Sequence, residues 1–235
     1  MPRWLDAALA VFFLILTAPL WLFLILWIKL DSRGPAFFRQ LRVGRNGQLF
    51  WLWKFRGMVE NGSNGNGYHS NITVKNDPRV SRAGRFLRAT KMDELPQLIN
   101  ILKGEMTFVG PRPEVPEMIE KYPPRALDVL AFKPGLTCPG TLTYVLQMEQ
   151  YLPSNGEAEE FYLKNLVEKK ARLDLMYLQR RDVAGDLRLI FVSTPWAILK
   201  RVSRQLFLQP KKLPLPLEEP EPRFEEKVSA YSDST

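Results

Sequence analysis

The chain has 235 residues, 46% of them hydrophobic, and a formal net charge of +8. One cysteine, Cys138, rules out an internal disulfide, and one histidine, His69, argues against a Ser-His-Asp triad or a zinc site of His and Cys ligands. Any chemistry must rest on carboxylates, cations and hydroxyls, with or without a hard metal. The positive surplus favours an anionic partner: nucleic acid, acidic lipid headgroups or a phosphorylated substrate.

The chain opens on a membrane-seeking segment, residues 1–30. From Trp4 to Ile28 the only ionisable side chain is Asp6. As a helix the apolar run would extend roughly 37 Å, enough to cross a ~30 Å hydrocarbon core. Pro19, near its middle, removes a backbone hydrogen bond, and Thr17 is placed to satisfy a freed carbonyl. Two geometries follow: a kinked span, or a helix that breaks at Ala18-Pro19 and returns to the side it entered. Lys29, Arg33, Arg39, Arg42 and Arg45 come next, so the positive-inside rule places the following domain in the cytoplasm either way.

Residues 31–208 read as one compact domain. Asn46-Gly47 between apolar stretches predicts a β-hairpin. Residues 61–77 read as a polar loop, and a short helix starts near Ser81. A second helix runs from Pro96 to Leu102 and stops at Lys103-Gly104. The Pro-Gly-rich stretch from Phe132 to Leu142 reads as a fixed loop. Two amphipathic helices follow, Glu157 to Arg181 and Asp186 to Leu208, the second interrupted by Pro195. Its mix of Trp196 with Lys200, Arg201 and Arg204 suits a bilayer headgroup region as well as a packed core. The proline- and charge-rich residues 209–235 are expected to be disordered.

Chemistry concentrates between Thr90 and Pro113. Asp93 and Glu94 are adjacent carboxylates, which a fold keeps together only with compensation from cations or a metal. Arg79, Arg82, Arg85, Arg88, Lys91 and Arg112 surround them in sequence. Two local readings are open: a helix that begins at Pro96, just after the pair, or one that Thr90 caps and that includes them. Spacing alone allows both acids to be mere caps. Arg112 argues for more, because Pro111 and Pro113 hold its guanidinium on a rigid turn and its planar fork suits phosphate. Lys54 and Arg56, at the end of a predicted strand, are placed to point at the same site or simply at solvent.

Three motifs then make the reading specific: KFRGM (54–58), DPRVSRAGRFLRATKMDELPQLINILKGEMTFVGPRPE (77–114) and KPGLT (133–137). With the proline-bearing apolar segment ahead of them, they resemble the monotopic polyprenol-phosphate phosphoglycosyl transferases, the bacterial sugar transferases, over roughly residues 3 to 205. That resemblance implies a membrane-associated α/β fold. It has a re-entrant helix broken at Ala18-Pro19, a mainly helical cytoplasmic domain with a small sheet or hairpin, and interfacial helices on the inner membrane. It also implies a reaction. Asp93 attacks the β-phosphate of a UDP-sugar, UMP leaves, and a polyprenol phosphate such as undecaprenyl phosphate takes the phosphosugar. Glu94 completes the dyad. Mg2+, at Asp93, neutralises the diphosphate. Lys54, Arg88 and Arg112 match anion-binding positions, and Pro111 and Pro113 frame the nucleotide. The family often has KPGITG where this chain has KPGLTCPG, so Cys138 and Pro139 bear on sugar or lipid preference. Asp174 and Tyr177 also resemble the family.

Two other classes compete. A membrane-tethered nucleotide-sugar binder without catalysis would have no use for the Asp93-Glu94 pair. A nucleic-acid binder would need aromatics interleaved with a basic face, whereas these aromatics concentrate in the membrane segment and the strands.

Overall fold

The computed structural model describes residues 1–59, 79–144 and 157–207. The 61–77 loop, His69 and the 209–235 tail lie outside them. The fold is mostly helical, with two small sheets and one N-terminal helix long and apolar enough to cross a membrane.

Helix α1 runs from Arg3 to Asp31 without interruption, so Ala18 and Pro19 sit inside one helical element instead of separating two. Thr17 bonds the carbonyl of Phe13 (Oγ1 to O, 2.6 Å), one turn back, and receives the Trp21 indole N–H at 3.1 Å. It is therefore not aimed at the Ile15 carbonyl that Pro19 frees. The helix leaves Val11, Phe12, Ile15, Leu16, Leu22, Phe23 and Leu26 exposed, an apolar surface that water does not tolerate.

Both ends of α1 are tied to the rest of the chain. Near its start, Arg3 donates to the carbonyls of Ile101 and Leu102. Asp6 accepts from the Thr107 hydroxyl at 2.8 Å and from the Phe108 N–H at 3.1 Å. Near its end, the Asp31 carboxylate receives the Ala83 N–H at 2.9 Å, and Arg56 donates to the carbonyls of Ile28 and Ser32 at 3.3 and 2.8 Å. Arg56 thus ties the last turn of α1 and its C-cap residue Ser32 to the end of β2. It is buried there and does not reach the site that sequence reading gave it.

Strands β1 (Phe37–Val43) and β2 (Leu49–Phe55) form the expected antiparallel hairpin, with Asn46 and Gly47 in the left-handed region at its turn. Helix α2 (Arg82–Thr90) starts on Ser81, whose hydroxyl accepts the Gly84 N–H at 3.0 Å. Gly84 lies directly on Gly57, where a Cβ would fall 1.9 Å from the Gly57 carbonyl oxygen. This contact locks the end of the hairpin segment to α2. Helix α3 (Gln97–Lys103) ends on Gly104 in the left-handed region, as its sequence signals.

Strand β3 (Thr107–Val109) pairs in parallel with β4 (Gly135–Thr137). The last three residues of the KPGLT stretch are therefore a strand, where its turn residues suggested a loop. Glycine permits the pairing, since a Cβ on Gly135 would meet the Gly110 nitrogen at 2.2 Å. The short helices α4 (Pro116–Ile119) and α5 (Pro124–Leu127) lie between these strands, and α6 (Pro139–Thr143) follows β4. The helix expected over Glu157 to Arg181 divides at Leu166 into α7 (Ala158–Asn165) and α8 (Val167–Leu178). Helix α9 (Val183–Arg188) passes through a π turn (Leu189–Ser193) into α10 (Thr194–Phe207). The irregularity precedes Pro195, which is tolerated in the first turn of α10.

Apolar clusters join these parts. Leu24 and Ile28 of α1 pack with Phe55, Ala83 and Leu87. Ala10 packs with Phe50, Leu52, Leu98, Ile101, Met106 and Phe108. Burying each Leu, Ile or Phe side chain contributes about 2 kcal/mol. A third cluster, with Val115, Met118, Leu166 and Val167, joins α4 to α7 and α8.

Candidate active site

Asp93 and Glu94 occupy a single 3-10 turn, Met92–Glu94, between α2 and α3. Of the two local readings, the helix that begins just after the pair holds, with Pro96 at the N-cap of α3. Thr90 caps no helix over the pair, and its hydroxyl bonds back to the Phe86 carbonyl at 2.8 Å, closing α2. Lys91 then turns the chain with φ of 61°, an uncommon conformation for a side chain with a Cβ. Met92 and Leu95, on either side of the pair, pack against the cluster that holds Leu24 and Ile28. The turn that carries the carboxylates is thus packed against the cluster that α1 shares with β2 and α2.

The two acids have opposite surroundings. Glu94 accepts both prongs of the Arg112 fork, from Nη1 at 3.0 Å and Nη2 at 2.6 Å, and lies 3.5 Å from the Lys91 ammonium. Burial opposes its ionisation, but Arg112, Lys91 and Lys54 hold its carboxyl well below the usual range. Asp93 is 8% exposed, and its Oδ1 is buried with no hydrogen-bond partner. Burial first, and then the Glu94 charge, pushes its carboxyl above the usual range, while Lys54, Lys91 and Arg88 pull the other way. An unmet carboxylate oxygen among cations is poised to take an electrophile or a metal.

The cations come from separate elements. Lys54 is the penultimate residue of β2, and no hydrogen bond or ion pair holds its ammonium among the described residues. Burial, reinforced by Arg112, lowers it from its ordinary 10.5 to about 7. Arg88 projects from the last turn of α2. Arg112 stands on the Gly110–Pro113 turn after β3, and Glu94, foremost, raises its already high pKa. Sequence reading gave Arg112 to phosphate, whereas its fork grips Glu94. β4 fixes the turn by backbone bonds, from Gly110 N–H to the Thr137 carbonyl at 3.0 Å and from Gly135 N–H to the Pro111 carbonyl at 2.9 Å. The KPGLT motif therefore supports the Pro-Arg-Pro turn from behind.

Sequence reading assigned no role to several residues that shape this site. Asp6 seats α1 on β3. Glu114, one residue past the turn, gathers Arg42, Tyr162 and Lys170. Lys170 lies 56 residues away in the chain, so no local pattern announces it. Asp174, noted without a role, accepts the Gly140 N–H at 2.7 Å and caps α6.

A metal would find few protein ligands here. No cluster of three His, Cys, Asp or Glu side chains exists among the described residues. Mg2+ needs little more than one or two carboxylates, because substrate phosphates and water complete its shell. The Asp93 carboxylate fits that demand, while Glu94 is already committed to Arg112.

The sequence as a whole matches a known class. The bacterial sugar transferase family profile matches residues 1–201, and the chain belongs to that family. It is 34% identical to an undecaprenyl-phosphate glucose phosphotransferase of Komagataeibacter xylinus over 209 residues, covering 85% of this chain and 36% of the relative. It is 35% identical to the UDP-glucose:undecaprenyl-phosphate glucose-1-phosphate transferase of Escherichia coli K12 over 193 residues, 80% of this chain and 38% of the relative. The chain thus spans little more than a third of these two proteins. Against the exopolysaccharide production protein ExoY of Rhizobium meliloti it is 33% identical, with 86% of this chain and 87% of the relative covered.

Proposed function

We propose that this protein is a phosphoglycosyl transferase that moves a phosphosugar from a UDP-sugar to a polyprenol phosphate and so starts a membrane glycoconjugate. The observation that carries the reading is the unpartnered, buried Asp93 Oδ1, ringed by cations on a turn flanked by Met92 and Leu95, which pack against the cluster that includes Leu24 and Ile28 of the apolar helix. The family membership and the substrates named for its relatives support it.

The chemistry follows from the two surroundings. Asp93 Oδ1 attacks the β-phosphorus of the UDP-sugar. The bond from that phosphorus to the oxygen bridging the α-phosphate breaks, and UMP departs with the electron pair. The Asp93 acyl phosphate then meets a polyprenol phosphate, whose oxygen attacks the same phosphorus and frees the carboxylate. Splitting the transfer in two lets a soluble donor and a lipid acceptor use one site in turn. Lys54 and Arg88 offset the diphosphate charge, and Arg112 keeps Glu94 ionised and fixed beside Asp93. Mg2+, held by Asp93 and the substrate phosphates, would supply charge neutralisation.

The two docked ends of α1 support a membrane segment whose ends stay on one side of the bilayer, with the helix unbroken at Ala18-Pro19. Arg3 and Asp6 near one end, and Asp31 near the other, all bond to the domain that carries the site. A helix crossing the bilayer would leave one end on the far side. Together with the basic residues after α1, this supports a domain on the cytoplasmic face of the inner membrane. Labelling of a cysteine placed at position 3 from the periplasmic side would contradict it.

The functional test is a screen of UDP-sugars for UMP release, with and without polyprenol phosphate. Turnover with both substrates, and stoichiometric UMP release from the donor alone, is the expected result. UMP release that always requires the lipid contradicts the two-step route, and none from any UDP-sugar contradicts the reading.

A further inference from the structure

Arg112 does not stand alone beside Glu94. A second guanidinium, Arg42 of β1, lies on the other side of the same turn and donates to the Pro113 carbonyl at 3.1 Å. The two arginines feel each other as like charges, and Arg42 also feels the Glu94 carboxylate. Two forks near one carboxylate are a source of ambiguity, because either can pair with it. Gln40 Oε1 takes Arg42 Nη2 at 2.7 Å, and Glu114 supplies the carboxylate that pairs with Arg42. Glu114 Oε2 takes Arg42 Nη1 at 3.4 Å, and its Oε1 takes Lys170 Nζ at 3.0 Å and the Tyr162 hydroxyl at 3.1 Å. Its backbone carbonyl also receives the Val43 N–H at 2.9 Å, which ties the turn to β1. Lys170 and Tyr162 bond each other at 2.9 Å, so the acceptor is gripped from two helices. Burial disfavours the charge on Glu114, but Lys170, Arg42 and Arg112 keep its carboxyl below the usual range.

We propose that Glu114 is a positioning residue: by taking Arg42 and Lys170 as its own partners it leaves Arg112 to Glu94 and keeps the reactive pair in register. The catalytic consequence rests on the function proposed above; the charge sorting does not. Buried ion networks of this kind add little net stability, and fixing which group pairs with which is a use that accounts for one here.

The test uses the full chain in vesicles and two readouts. Phenylglyoxal modification of Arg112, followed by peptide mass spectrometry, reports how firmly the fork is held, whether or not the protein is an enzyme. Glu114→Gln should raise that rate by about threefold or more, since an arginine released from its carboxylate is more reactive. Arg56, buried at the end of α1, should stay protected, which separates a local change from general loosening. Removing the competitor should undo the effect: in Glu114→Gln with Arg42→Gln, Arg112 returns to the wild-type rate. The double variant also buries one fewer uncompensated charge, so it decides the matter if the single variant does not fold. In kinetics, Glu114→Gln should lower kcat about tenfold with KM changed less than about threefold, because misplacing a reacting pair costs rate more than affinity. Wild-type Arg112 labelling in Glu114→Gln, or equally fast labelling in the double variant, overturns the proposal. A wild-type protein that releases no UMP overturns the functional reading and leaves the labelling result to decide the role of Glu114.

Discussion

Two buried aspartates, Asp93 in the turn before α3 and Asp174 in α8, show how little burial alone says about chemistry. Each has its carboxyl pushed up first by burial. Asp174 is 1% exposed, yet it is fully employed: it receives the Gly140 N–H, bonds Cys138 and sits in the field of Lys170. A Cβ on Gly140 would fall 2.8 Å from its Oδ1, so the backbone is fitted around the carboxylate. Asp93 has no such fit. Its Oδ1 is empty of partners while cations from α2, β2 and the turn at Lys91 face it. Satisfied, a buried carboxylate holds a corner of the fold; unsatisfied, it is held ready for a ligand.

Substitution of the two should give opposite phenotypes. Asp93→Asn removes the attacking oxygen's charge and should lower turnover by about a thousandfold or more. It also removes repulsion with Glu94, so the thermal midpoint should not fall. Turnover within tenfold of wild type would end the distinction between the two aspartates. Asp174→Ala should do the reverse. It leaves the Gly140 N–H without its acceptor and should cost about 2 kcal/mol of stability. The folded fraction should keep turnover within about threefold. A large loss of turnover at unchanged stability would place Asp174 in the reaction instead.

A smaller effect sharpens the contrast on the cation side. Lys54 has a pKa near 7 in the folded protein, lowered by burial from 10.5. As pH rises through about 7 the ammonium loses its proton, so its attraction for the donor diphosphate should fade. KM for the UDP-sugar should then rise several-fold between about pH 6 and 8. Lys54→Arg, which stays charged, should flatten that dependence. An unchanged slope in the arginine variant would remove Lys54 from donor binding.

The hairpin was legible because Asn46-Gly47 is a local turn signal, and α2 and α3 because Ser81 and Gly104 are local caps. The DE pair and the Pro-Arg-Pro turn were legible as a motif. What sequence could not supply was the pairing: that Arg112 grips Glu94, that Arg56 ties the end of α1 to β2, and that Glu114 collects Lys170. Those contacts join elements 18 to 56 residues apart, and charge patterning does not specify partners at such range. The strand that ends the KPGLT stretch was read as a loop because the proline and glycine of that stretch carry strong turn signals. Only the glycine-to-glycine approach at Gly110 and Gly135 shows why a strand fits there. The continuity of α1 through Pro19 likewise overrode a local breaker, since both ends of the helix are anchored by long-range bonds.

The central claim is that Asp93, whose Oδ1 has no hydrogen-bond partner in the fold, becomes the covalent carrier of the phosphosugar. Intact-protein mass spectrometry after mixing the full chain with a turned-over UDP-sugar, in the absence of lipid acceptor, tests it directly. The account expects a mass increase equal to one phosphosugar, mapped to Asp93, absent from Asp93→Asn and discharged on adding polyprenol phosphate. UMP release with no adduct, or an adduct that persists in Asp93→Asn, would contradict it.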